Sequence, residues 1–146
     1  MSTYSFQDVV ATLTGPTGDA DLGFGASIAK EGISIVRAAE TNTMQIGADG
    51  GGQHSLHADR SGHLTVRTLK TSPLNAILQA MYDAQRASSA LWGQNTIVVS
   101  ETQSGDVTTC QEVAFKKDAD LTYADEAGIM EWGFDAILID KVLGTF

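Results

Sequence analysis

Only one stretch of this chain repeats with a helical period, and much of the rest alternates in twos. That contrast limits the fold more than any motif does. Leu74, Ile77, Leu78, Met81 and Tyr82 recur at helical spacing and form one apolar stripe, leaving Asn75, Gln79, Asp83 and Arg86 on the more exposed side. Ser72 can accept an N–H bond as N-cap, and Pro73 suits the first helical position, where its missing N–H costs nothing. A helix is predicted over about 73–92, ending between Ala87 and Gly93.

The flanking segments read as strands. His63 to Lys70 alternates cleanly, with Leu64 and Val66 on one face and Thr65 and Arg67 on the other, as in a half-buried antiparallel strand. Thr3 to Thr14 reads as a strand ending in the Gly15-Pro16 turn, Thr17 to Ser27 as a glycine-bearing loop, and Gly32 to Ala38 and Thr43 to Ala48 as two further strands. Asp49 to Gly62 is too rich in Gly, His, Asp and Ser to be a central strand throughout, and is the most conspicuous loop. Thr96 to Glu101 and Val107 to Phe115, joined by a Gln103-Ser104-Gly105-Asp106 turn, form an expected hairpin. In Met130 to Asp140 the first half buries one face, while Ile137 and Ile139 suggest that the second half is covered on both. The expectation is one domain over 1–146: mainly β, a small barrel or sandwich with the helix packed on its flank.

Composition excludes several chemistries. With 9 basic against 18 acidic residues the net charge is -9, which opposes phosphate-backbone binding. The single Cys110 can form no internal disulfide and no zinc framework; it sits in an alternating strand, expected as a small semi-buried side chain with no neighbouring His to activate it. Met1 to Asp8 lacks the pattern of a secretory signal and no run of apolar residues suits a bilayer, so a cytoplasmic origin is the expectation.

Candidate sites have plain alternatives. His54, His57 and His63 with Asp49 and Asp59 offer metal-ligand types, but their spacing is not diagnostic, and a surface loop or subunit contact explains them with fewer assumptions. Gly47-Ala48-Asp49-Gly50-Gly51-Gly52 is followed by Gln53 and His54 rather than the Lys and Ser or Thr of a phosphate cradle. Asp106 and Glu112 are a conceivable carboxylate pair for a hydrolase, and Trp92 and Trp132 could grip a sugar or base in a monomeric binding module, although core or interface is the commoner fate of large aromatics. No catalytic, cofactor or metal residue is assigned.

Taken in order, Tyr4-Ser-Phe-Gln-Asp-Val, Gly15-Pro16, Glu31-Gly-Ile, Asn42-Thr-Met, Ile46-Gly-Ala-Asp-Gly, His54-Ser-Leu and Thr65-Val-Arg resemble the tail tube proteins of myophage-type bacteriophages. Leu69-Lys-Thr-Ser-Pro-Leu-Asn, Gln85 with Ser88-Ser89, Trp92-Gly-Gln-Asn and Glu131-Trp-Gly-Phe extend the likeness over nearly the whole chain. The resemblance implies a structural, non-enzymatic virion subunit of tail-tube-like fold, related to type VI secretion tube proteins. It implies self-assembly into stacked, hexameric rings around a channel that DNA traverses without specific binding, with sheath, baseplate and terminator proteins as partners and no membrane binding. By the same resemblance 49–62 is the inter-ring loop, with Asp49, His54, His57, Asp59 and Arg60 as contacts. Asp8, Glu40, Asp106, Glu112, Glu131 and Asp135 are candidates for an acidic channel lining. A tube protein of a type VI secretion or contractile injection machine is the near alternative.

Overall fold

The computed structural model describes residues 2–146. After a 3-10 turn at Phe6–Asp8 the chain forms β1 (Val9–Gly15), β2 (Gly18–Asp21), β3 (Ile28–Arg37), β4 (Asn42–Ile46), β5 (Gly52–Leu56) and β6 (Gly62–Leu69). The helix α1 (Leu74–Arg86) follows, then β7 (Asn95–Glu101), β8 (Asp106–Lys117) and β9 (Ile129–Val142). Seven strands make one antiparallel sheet in the order β2-β1-β7-β8-β9-β6-β3, curled into a half-barrel, while β4 and β5 pair only with each other. The fold is therefore mainly β with one flanking helix, as the periodicities indicate.

Four boundaries differ from the sequence reading. Tyr4 to Asp8 is not strand, because Ser5 Oγ accepts the Gln7 N–H and closes a turn instead. Residues 18–21, expected in a loop, form the short edge strand β2 after a two-residue turn at Pro16-Thr17. Within the 49–62 loop, Gly52–Leu56 is strand: β5 pairs with β4 in register from Asn42↔Leu56 to Ile46↔Gly52. The helix stops at Arg86 rather than near 92, where Ser88 Oγ takes the Ala90 N–H and Gly93 enters positive φ.

The core lies between the curled sheet and α1. Leu74, Leu78 and Met81 face Trp132, Phe115, Phe134, Leu64 and Val66 of the sheet. Asn75, expected on the exposed side, instead ties the helix down. Its Oδ1 accepts from Trp132 Nε1 (3.1 Å) and Thr68 Oγ1 (2.5 Å), and its Nδ2 donates to the carbonyls of Leu69 and Lys70 (3.0 and 3.2 Å). Just before the helix Ser72 Oγ accepts the Leu74 N–H and donates to Ala26 O, anchoring the loop before β3, while the N-cap position itself falls one residue later than expected, on Pro73. At the other end Gln85 and Asn95, both fully buried, exchange two amide hydrogen bonds of 2.8 and 2.9 Å. Gly15 leaves room for them, since a Cβ there would stand 2.1 Å from Asn95 Oδ1.

A bulge bends the sheet. Between the pairs Asn95↔Val113 and Ile97↔Cys110, two residues of β8 oppose one of β7, and Glu112 adopts φ 53°. The inward face changes parity there in β8, from Cys110 to Val113, and on the same rungs in β9, from Ile139 to Ala136. The second half of β9 is thus not covered on both faces: Ile139 is fully buried and Ile137 is 64% exposed.

Gln85→Ala orphans the Asn95 amide in the core and is expected to cost about 3 kcal/mol in urea unfolding, whereas replacing both amides by apolar residues of similar shape recovers most of that loss. Glu112→Gly is expected to be tolerated in the same assay, and Glu112→Val to cost about 1–2 kcal/mol more, since a β-branched residue fits the left-handed region poorly.

Candidate assembly surfaces

The arm formed by β4 and β5 is the first surface. Every one of its residues is exposed, including Met44 (61%), Ile46 (61%) and Leu56 (83%). The register sorts it into two faces: Asn42, Met44 and Ile46 lie opposite Leu56, His54 and Gly52, while Thr43 and Gln45 lie opposite Ser55 and Gln53. One face is apolar with two polar groups, the other polar. Asp49 builds the tip, its Oδ1 accepting the Gly51 N–H (3.0 Å). His54 Nδ1 accepts from Asn42 Nδ2 (3.2 Å), and His57 Nε2 bonds Thr43 Oγ1 (2.6 Å) just beyond the end of β5.

Asp59 and Arg60 do not join the arm. Ser61 donates both its N–H and its hydroxyl to Asp59, holding that carboxyl below its ordinary range. Arg60 belongs to the barrel rim: its carbonyl accepts from Ile139 N and Arg37 Nη1, and its guanidinium lies 3.6 Å from Asp140. The three histidines keep separate partners, and among the described residues no three His, Cys, Asp or Glu groups gather as a metal cradle.

The second surface is the outer face of β6 and β9. Arg67 sits opposite Glu131 and His63 opposite Asp135, with Arg67 Nε 3.2 Å from Glu131 Oε1 and His63 Nδ1 2.6 Å from Asp135 Oδ1. Glu112 borders the same shallow hollow as His63 and Asp135, and Glu131 points to the same side of β9 as Asp135, so the three candidate lining acids Glu112, Glu131 and Asp135 share one face. The others lie elsewhere. Asp106 Oδ1 accepts the Gly144 N–H, Asp8 is in the 3-10 turn, and Glu40 is in the exposed link before the arm. Asp106 and Glu112 stand about 20 Å apart along β8, too far for a carboxylate dyad. Trp132 is fully buried and unavailable to a ligand; Trp92 packs edge-on against Tyr82.

A third surface went unread in the sequence. A groove of about 550 Å³ runs between β3 and β7, walled by Ile28, Ile33, Ile35, Val99, Leu143 and Phe146. Glu101 lies in its wall, 7% exposed. Its Oε2 accepts from the N–H and hydroxyl of Ser104, while Oε1 has no partner among the described residues. The signal was present: Asn95, Ile97, Val99 and Glu101 fall on one face of the alternation.

Solved assemblies contain chains with this fold of a curled sheet around one helix. A chain of the anti-feeding prophage tube terminating cap is 9% identical, with a TM-score of 0.57, covering 99% of this chain and 93% of that one. A chain from the PVC sheath/tube terminator of an extracellular contractile injection system is 12% identical, TM-score 0.58, covering 97% and 98%. One from the PVC sheath-tube complex is 9% identical, TM-score 0.59, covering 97% and 92%. No curated protein matches in sequence. Residues 1–144 match the family described as bacteriophage PhiTE tail tube protein, and the chain belongs to that family. It is a tail structural protein.

Cys110 is fully buried, and burial pushes its thiol up to about 11. It is expected to be silent toward a thiol reagent at pH 8 until the protein unfolds. Between pH 9.0 and about 11 the unfolded thiol ionises while the folded one stays protonated. Stability then falls as pH rises, a slope that Cys110→Ala should reduce in denaturant titrations.

Proposed function

We propose that this chain is the repeating subunit of a phage tail tube, assembling with copies of itself into stacked rings, six subunits to a ring, around a channel that conducts DNA. The observation that carries the reading is the two-faced arm on a chain of the tail tube family. A two-stranded hairpin is marginal in water on its own. An apolar face on it is satisfied when another molecule covers it. The arm then bridges one ring to the next through Asp49, His54 and His57, while Asp59 and Arg60 set the angle at which it leaves the barrel. Sheath, baseplate and terminator proteins are its further partners in the virion.

The channel reading narrows to one face. Glu112, Glu131 and Asp135 share the outer side of the sheet, and their carboxylates repel phosphate there. Arg67 and His63 temper that repulsion at two of the three positions, leaving a wall that neither holds DNA nor strongly expels it. The solved likenesses come from contractile injection machines, which favours a second reading in which the same tube carries protein instead of a genome. The family match over residues 1–144 favours the phage.

Negative-stain electron microscopy and light scattering across a concentration series test the proposal, with hollow tubes or rings expected. Replacing residues 43–55 by a short Gly-Ser link should leave the fold intact and abolish stacking. Particles that stay monomeric at every concentration, and also on added baseplates or tube seeds, would move the assignment to a monomeric binding module.

A further inference from the structure

The turn between β7 and β8 holds a buried carboxylate and receives the segment that follows β9. Glu101 Oε2 accepts the N–H and hydroxyl of Ser104, the Glu101 carbonyl accepts the Gly105 N–H, and Ser104 Oγ accepts the Asp106 N–H. These bonds set the direction of Asp106, whose Oδ1 accepts the Gly144 N–H at 2.6 Å. No larger residue fits at 144, since a Cβ there would overlap the Ser104 carbonyl oxygen. Beyond the last sheet pair, Val107↔Val142, this is the one hydrogen bond that ties residues 143–146 to the rest of the described residues.

What the segment covers is the groove between β3 and β7. Leu143 and Phe146 line it together with the half-buried Ile28, Ile33, Ile35 and Val99, while Lys30, Glu31, Ser100 and Thr108 make the rest of its wall polar. Leu143 is 76% exposed and Phe146 56%, so their own burial holds them weakly. The bond at Gly144, charge-assisted by the Asp106 carboxylate, therefore does most to seat them. We infer that Leu143–Phe146 is a releasable strap, latched at Gly144, that shuts the apolar side of this groove from water and from stray contacts, and that Glu101 is the positioning residue that shapes the latch. Release costs little more than one hydrogen bond and bares the isoleucines of β3. The strap works in the single chain, whatever larger structure that chain enters.

Amide hydrogen exchange of the dilute, isotopically labelled full chain, read by NMR, tests the strap. The Gly144 N–H is expected to be protected in the parent, and Asp106→Ala to speed its exchange roughly tenfold or more. Ile139 of β9, whose N–H bonds the Arg60 carbonyl, should be unchanged and reports that the fold is intact. Asp106→Asn, which keeps an acceptor, should restore the protection; Glu101→Ala should free the same amide, and Glu101→Gln, which keeps an acceptor for Ser104, should not. In parallel, Asp106→Ala, Gly144→Val and deletion of residues 143–146 should each enhance and blue-shift the emission of anilinonaphthalenesulfonate, a dye that reports exposed apolar surface. Gly144 exchanging at the open-chain rate in the parent, equal rates in the parent and Asp106→Ala, or dye emission unchanged by the deletion overturns the strap. Should a point variant lose the Ile139 protection, and with it the fold, the Gly144 rate of the parent and the dye emission of the deletion decide.

Discussion

Burying Trp132 is the constraint on which the rest of this structure depends. An indole near the start of β9 brings a large apolar area into the core but also an N–H that must find an acceptor. Asn75 supplies it, and the remaining bonds of that one amide hold Thr68 and the carbonyls of Leu69 and Lys70. The first turn of α1 is thereby fixed to the end of β6, and the apolar stripe of the helix can land only on the concave side of the sheet. At its other end the Gln85–Asn95 exchange fixes α1 to the start of β7. The helix is thus pinned by amides at both ends and by hydrocarbon between them, and the curl of the sheet follows from having to wrap around it.

What the sequence revealed, and what it hid, divides along physical lines. The alternation of His63 to Lys70 and the stripe from Leu74 to Tyr82 were legible because each element has one wet and one dry face. β2 was not, since four residues with two aspartates carry almost no periodicity and the strand exists because β1 offers it an edge. β5 was read as loop because nothing covers either of its faces, so its side chains lack the alternation that burial imposes. The parity change at Glu112 was invisible for a different reason: a bulge is a property of a strand pair, and Ile137 and Ile139 look alike until Thr96 is set opposite two residues.

The candidate residues of the 49–62 stretch divide by their place in the fold. Asp49, His54 and His57 were marked by composition and do lie on or at the root of the arm, but Asp59 is held by a local turn with Ser61, and Arg60 is tied to the barrel rim by bonds from Ile139 and Arg37, distant in the chain. The acids were harder, because alternation yields two faces without saying which neighbour each will oppose. Only the register shows that Glu131 and Asp135 face Arg67 and His63 directly. Glu101 escaped notice because a glutamate at the end of a strand is ordinarily solvated.

The free edges of the half-barrel have a bearing on how such a chain survives before it is used. An open sheet ends in two rows of unpaired backbone groups, an invitation to indiscriminate strand addition. Here one end is β2, only four residues long, and the other is β3, in which Ala29 to Gly32 stand against a single residue of β6. A strand approaching either edge finds a ladder that is too short or broken partway. Such edges discourage sheet-to-sheet growth, so the folded chain is protected from becoming fibre even at high concentration.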